Sequence, residues 1–225
     1  MAIISTIMLF LISILPGILW VRYFYKKDRY HPEPKLIIIR DFIAGMFAVL
    51  PASIIESPFS GLISNPPSLL ILFLSTIFIV GFVEEGIKSI LVYILHFKHP
   101  EFDEPLDGII YGVTVGLGFA AAENLFYTIM YGYEVGLARA VITSLAHASF
   151  TGIFGFYLTQ SRQYNNKHFI FFGFILVSFM HGLYDFLVIS QLISFITTII
   201  IIAALQIYLA YLIENLLIKE PFDSK

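Results

Sequence analysis

The chain has 225 residues, of which 58% are hydrophobic and only 13% charged, with a net charge of −3 and no cysteine. Soluble chains run at roughly 45–50% apolar and 25% charged residues, so this composition excludes a soluble globule, and a mean hydropathy of +0.86 points to lipid as the main solvent. The balance of charge leaves no basic surface for nucleic acid, and without cysteine there is neither a disulfide scaffold nor a Cys-ligated metal site.

A spanning helix needs about 20 mostly apolar residues. In chain order, seven segments meet that length: Ala2–Phe24, Leu36–Ile55, Leu69–Leu95, Asp107–Tyr131, Leu137–Leu158, Phe169–Ile189 and Leu192–Leu217. The expected fold is all-α, a polytopic membrane bundle of about seven helices, with residues 1–225 as a single integral-membrane domain. The first segment lacks the basic start and small-residue cleavage site of a secretory signal, and is read as a helix.

Positive charge sets the orientation. Arg22, Lys26, Lys27, Arg29, Lys35 and Arg40 flank the first loop, Lys98 lies in the third, Arg162 and Lys167 in the fifth, and Lys219 and Lys225 in the tail. With seven spans these all fall on one side, whereas the other holds Arg139 alone and Lys88 lies within a span. The N-terminus is therefore expected outside and the C-terminus in the cytoplasm, in the cell membrane of a bacterium.

An ionisable residue at the membrane centre costs about 2.5–3.5 kcal/mol on insertion scales and marks function by default. The third segment carries Glu84, Glu85 and Lys88, the fourth Glu123 and Asn124, the fifth His147, and the sixth His181 and Asp185. At about 1.5 Å per residue, Glu123, His147 and His181 fall in one layer roughly 12–15 Å below the outer surface. Glu84 and Glu85 come out deeper unless their helix tilts. His181 and Asp185 share a helix face, as do Lys88 and the two glutamates, so Lys88 is expected to pair with one glutamate and leave the other free.

Histidines and carboxylates without cysteine suit Zn²⁺, whose catalytic sites take three protein ligands and a water of lowered pKa. Glu123, His147 and His181 are the expected ligands. Glu85 or Glu84 would take the proton from the attacking water, and Asn124 or Asp185 could stabilise the tetrahedral intermediate or fix a ligand. The chemistry is hydrolysis of an acyl bond, which inside a membrane means the peptide bond. No HExxH helix, GxSG motif or GxGD motif is present to support another protease class; Leu106-Asp107-Gly108 and Tyr184-Asp185 are isolated fragments of such classes.

At these residues the chain resembles the PrsW family of intramembrane proteases, within the wider group that includes type II CAAX prenyl endopeptidases. The resemblance runs from Pro16, Trp20 and the segment Asp28–Pro34, through Glu84-Glu85-Gly86-Ile87-Lys88, Asp107–Gly112, Gly118–Asn124 and His147 with Phe150-Thr151-Gly152, to His181–Phe186. It implies a membrane metalloprotease with catalytic Glu84 and Glu85 and an essential histidine at His147 or His181. It also implies a substrate class, single-span anti-sigma factors cut on their outer side to start regulated intramembrane proteolysis. Where CAAX endopeptidases carry a histidine after FxxxH, this chain has Glu123 after Phe119, a departure that favours PrsW. A metal-free glutamate and histidine mechanism is the variant chemistry for this wider group.

Blander roles compete for several residues. Gly108, Gly112 and Gly116 form a small-residue stripe suited to close helix packing, and Asp107 suits a helix N-cap. His31, His96, His99 and His168 lie in or near loops and are expected to be solvated. A proton-coupled transporter or a non-enzymatic scaffold would also place Glu, His and Lys in a membrane; a transporter more often shows inverted repeats and broken helices, and none is evident.

Overall fold

The computed structural model describes residues 2–217; Lys219 and Lys225, two of the charges used to orient the chain, lie outside the described residues. Ten α-helices follow in order: α1 (Ala2–Ser13), α2 (Leu15–Tyr25), α3 (Lys35–Glu56), α4 (Ser60–Ser64), α5 (Leu69–Ser75), α6 (Phe82–His96), α7 (Asp107–Tyr131), α8 (Tyr133–Gln163), α9 (His168–Ile189) and α10 (Phe195–Leu216). A 3₁₀ turn (Ser57–Phe59) joins α3 to α4, and a π-helical turn (Thr76–Gly81) joins α5 to α6. The described residues contain no strand. Grouped into continuous rods, they make seven helices long and apolar enough to cross a membrane. The chain is a multi-pass, all-α membrane protein.

The outer surface confirms the solvent. Leu36, Ile54, Ile94 and Ile207 are between 71% and 80% exposed, a pattern that only hydrocarbon tolerates across a whole bundle. The polar side chains lie inside.

The bundle is organised around α7. Most of its residues are buried, and glycines let neighbouring backbones approach it. A Cβ at Gly108 would strike the Gly155 carbonyl of α8, one at Gly112 the Thr151 carbonyl, and one at Gly116 the His147 carbonyl. The small-residue stripe therefore does serve packing, and it holds α8 against α7 with His147 at a fixed height. Close approach compensates in a membrane for the missing hydrophobic drive between helices.

Local sequence explains the departures from the expected spans. The first segment breaks at Ile14, because Pro16 sits in the opening turn of α2, where its missing N–H costs nothing. The stretch after Ile55 is helical through Ser64 rather than a loop, so the second span is longer than expected. The fifth span starts at Tyr133, four residues earlier than expected. It follows α7 after one residue, Gly132, whose φ of +93° suits only glycine.

At the opposite end, loops one, three and five gather. His31 Nε2 lies 3.5 Å from Glu104 Oε1, and Arg162 donates to the Phe97 carbonyl at 3.2 Å. Two readings of this region change. Asp107 is the first helical residue rather than the cap, and its Oδ2 accepts from the Glu104 N–H at 2.6 Å. His96 is not solvated: it is fully buried, 2.7 Å from Asp41 Oδ2, with its ring stacked on Tyr111. A helix end buried beneath loops needs such a partner, and hydropathy alone does not reveal one.

Candidate active site

The π turn before α6 aims the glutamate pair. Single π turns insert a residue into a helix and recur at functional sites. Here the turn lies flat on α9: Gly81 meets the Ser178 carbonyl, and Gly182 meets the backbone at Thr76 and Ile77. Contact at Gly182 brings its neighbour His181 beside Glu84 and Glu85 in the first turn of α6. The third span thus reaches the histidine layer, as a tilt was expected to allow.

Glu85 is fully buried and fully engaged. Its Oε1 accepts from Lys88 Nζ at 2.6 Å and from His181 Nδ1 at 2.9 Å, and its Oε2 accepts from the Thr151 hydroxyl at 3.2 Å. Glu84 lies beside it with Oε2 3.8 Å from His181 Nε2, 3.9 Å from His147 Nδ1 and 3.3 Å from Lys88 Nζ. Lys88 therefore pairs with both glutamates rather than one, because an ammonium carries three donors. Its third contact is His147 Nδ1 at 2.9 Å, and the Phe119 ring lies 4.2 Å below it.

The network assigns the imidazole tautomers. His147 Nδ1 accepts from Lys88, so Nε2 carries the hydrogen and donates to Glu123 Oε2 at 3.0 Å. His181 donates through Nδ1 to Glu85, which leaves Nε2 free, facing Glu84 and, at 3.5 Å, Asp185 Oδ2. Glu123 is tied on its other oxygen to Arg139 at 2.7 Å. Arg139 in turn lies 3.6 Å over the Tyr127 ring. Asp185 is near His181 as their spacing suggested. Asn124 is buried and donates to Ser144 Oγ at 3.1 Å.

The three side chains close enough to share one ion are not the three expected as ligands. Among the described residues, the Glu and His side chains that bring one ligand atom each within 4.8 Å of one another are Glu84, His147 and His181, all buried. Glu123 sits one step back, because Arg139 and the Nε2 edge of His147 hold its carboxylate. The donors are chemically suited to a zinc-like ion: two imidazole nitrogens and one carboxylate oxygen. Each ring also rests its other nitrogen on a carboxylate, the arrangement that orients metal-bound histidines. Lys88 is the competing feature, since its ammonium holds the same His147 nitrogen.

A cavity of about 890 Å³ opens onto this group. Glu84, His147, His181, Asp185 and Glu123 line it, and Glu85 stands behind. The polar lining that sequence reasoning did not assign to the site includes Arg139, read only as a topological exception, and Glu56 and Tyr127. Glu56, near the C-terminal end of α3, lines the cavity, and its Oε1 is buried with no hydrogen-bond partner.

The family described as PrsW family intramembrane metalloprotease matches residues 33–212. The chain is 36% identical over 183 residues to Protease PrsW of Geobacillus kaustophilus (strain HTA426), covering 80% of this chain and 79% of that one. It is 36% identical over 178 residues to Protease PrsW of Bacillus subtilis (strain 168), covering 78% and 80%. With Protease PrsW of Clostridioides difficile (strain 630) the identity is 31% over 194 residues, covering 81% and 80%. No solved structure matches the chain. The matched stretch contains every residue of the Glu and His cluster, and the chain belongs to the PrsW family of intramembrane metalloproteases.

Proposed function

We propose that this protease cuts a single-span membrane regulator of the anti-sigma type just beneath the outer face of a bacterial membrane, using Glu84, His147 and His181 as the reactive centre and residues 1–225 as one protease domain. The observation that carries the reading is the meeting of those three side chains, from three separate spans, at the wall of one cavity. The basic flanks of the first, third and fifth loops support an external N-terminus and a cytoplasmic C-terminus. On that orientation the cavity opens towards the outer half of the bilayer.

Zinc is the proposed ion, held by Glu84 Oε2, His147 Nδ1 and His181 Nε2, and when bound it supplies a water acidic enough to attack at neutral pH. The protein's own groups do the rest. Glu85 fixes His181 through Nδ1, and Glu123 fixes His147 through Nε2. Asp185, facing His181 Nε2, is placed to take or return a proton at the cavity wall. Lys88 offsets the charge of both glutamates, which would otherwise be costly to bury. Asn124, bonded to Ser144, positions α7 against α8. A membrane helix entering the cavity would find Glu56 and Arg139 in its lining as polar contacts for backbone exposed by local unwinding.

One observation favours a metal-free variant of the same site: Lys88 Nζ already bonds His147 Nδ1. In that variant Glu84 acts as the base beside an ammonium.

The test is comparative proteomics of membrane fractions from cells carrying wild-type or Glu84→Gln protein. A fragment of a single-span membrane protein that appears only with wild type is expected. Identical fragment sets with both proteins overturn the reading. Metal analysis of active, purified protein separates the two variants: about one zinc per chain, lost in His181→Ala, supports the first, and full activity without metal supports the second.

A further inference from the structure

A second buried acidic group lies at the other end of α7. Asp28 and Glu33 come from the loop after α2, and Asp107 opens α7. They are 4%, 4% and 0% exposed, and each places a carboxylate oxygen within 4.8 Å of the other two. The loop is held in place by its own bonds: Tyr25 donates to the Glu33 carbonyl at 3.0 Å, and the His31 N–H donates to Asp28 Oδ1 at 3.3 Å. The Tyr111 hydroxyl bonds Glu33 Oε2. Asp107 Oδ2 is taken by the Glu104 N–H.

Those donors do not satisfy the group. Asp28 Oδ2 and Asp107 Oδ1 are buried with no hydrogen-bond partner. A buried carboxylate oxygen without a donor loses its hydration with no return, and here two do so within one group of three carboxyls. Asp103, Glu104, His31 and Arg162 are the charged groups facing the cluster. Arg162 is directed to the Phe97 carbonyl and lies 5.0 Å over the Phe102 ring.

We propose that Asp28, Glu33 and Asp107 form a site for a hard divalent cation that pins the first loop to the start of α7. Carboxylate oxygens about 2.4 Å from a shared calcium lie no more than about 4.8 Å apart, and one oxygen from each of the three residues falls inside that bound. All three donors are oxygens, the preference of calcium or magnesium rather than zinc. The site is separate from the Glu and His cluster: Glu123 lies sixteen residues further along α7, about 24 Å at helical rise. A cation here would fix the loop, and through Asp107 the register of the helix on which the bundle is organised.

The test uses the full chain in a neutral detergent, stripped with EDTA, so that no anionic lipid binds the probe. Added CaCl₂ or MgCl₂ is expected to raise the thermal midpoint by at least about 3 °C. Asp28→Asn and Glu33→Gln should each weaken that response by more than the about 10–100-fold that loss of an outer-shell partner costs a metal site. Glu84→Gln should leave it intact, which separates this site from the proposed reactive centre. Tb³⁺ emission sensitised through Tyr111 and quenched by calcium gives a second reading that does not depend on stability; Tyr111→Phe removes the sensitiser and should lose most of it. No response of wild type to either cation, or a response unchanged in both Asp28→Asn and Glu33→Gln, overturns the proposal. So does a wild type that binds no cation while Glu33→Gln raises its midpoint, because the carboxylates would then be sharing a proton.

Discussion

The two buried polar clusters of this protein meet the same difficulty, carboxylates in a medium that disfavours charge, with different means. Around Glu84 and Glu85 the countercharge is built in. Lys88 sits between both glutamates, Arg139 holds Glu123, and two imidazoles bridge what is left. Around Asp28, Glu33 and Asp107 the partners are a phenol and backbone N–H groups, and two carboxylate oxygens have none. The first cluster draws on four spans and faces a cavity; the second is closed, where two loops meet a helix end. A reactive site has to hold its charges apart from one another yet ready to move, so it carries its own cations. A fastening site can take its cation from solution.

The sharpest way to break this comparison is at the glutamates. Glu84→Gln is expected to reduce cleavage of a membrane substrate by at least about 10²-fold, whether Glu84 holds the ion or takes the proton itself. Quantified fragment yield checks it. Asp28→Asn, at the other cluster, should leave the catalytic residues in place and cost far less activity. If both substitutions abolish cleavage equally, the division into reactive and fastening sites fails.

Next in size is Lys88→Met. Removing one partner of a buried ion pair costs about 3–5 kcal/mol, and here it strands two glutamates, so denaturant or thermal unfolding in detergent should show a loss of at least that order. The double variant Lys88→Met with Glu85→Gln should recover part of it, since one of the stranded charges is then gone.

A smaller effect is expected at Glu123. Glu123→Gln keeps a hydrogen-bond acceptor for His147 and removes the charge, and metal content at limiting zinc should fall by about 10–100-fold in affinity, as for other outer-shell partners. Loss of all binding would instead make Glu123 a direct ligand, the role its depth in the sequence first suggested.

The smallest effect separates the clusters by pH. Burial pushes the Glu33 carboxyl up to about 7 from an ordinary 4.5, with Asp28 and Asp103 raising it further and Tyr111 and Asp107 opposing. A raised carboxyl contributes stability that is fully present below about pH 4.5 and is lost as pH climbs through about 7. Cation-free protein should therefore lose thermal midpoint between about pH 5 and 8, and millimolar calcium should flatten that slope. Glu33→Gln should reduce the slope.

Much of this was legible beforehand because the membrane makes sequence informative. Hydrocarbon admits only helices of a set length and penalises each ionisable residue, so the seven spans and the roster Glu84, Glu85, Glu123, His147, His181 and Asp185 stand out from hydropathy alone. The i, i+4 spacing of His181 and Asp185 also translated directly into proximity. The pairing within the roster was less legible. Spacing placed Lys88 with a single glutamate, and depth ranked Glu123 with the histidines above Glu84. Both readings treat helices as straight, upright rods. The π turn and the glycine contact with Gly182 shift Glu84 to His181, and Arg139 draws Glu123 aside. His96 shows the same limit: near a helix end, nothing in the sequence separates a solvated ring from one buried on Asp41.

The amino-acid order thus decided how many times the chain crosses the membrane, which polar groups it carries there and, through its basic loops, which end is expected inside. Those properties depend on neighbours within a turn or on the solvent as a whole. Which carboxylate meets which imidazole, and that three acids from distant segments share one small volume at the loop end, was decided only by packing between helices. A contact between spans depends on tilt, rotation and closest approach, and glycine backbones in touch set these at particular points along each helix.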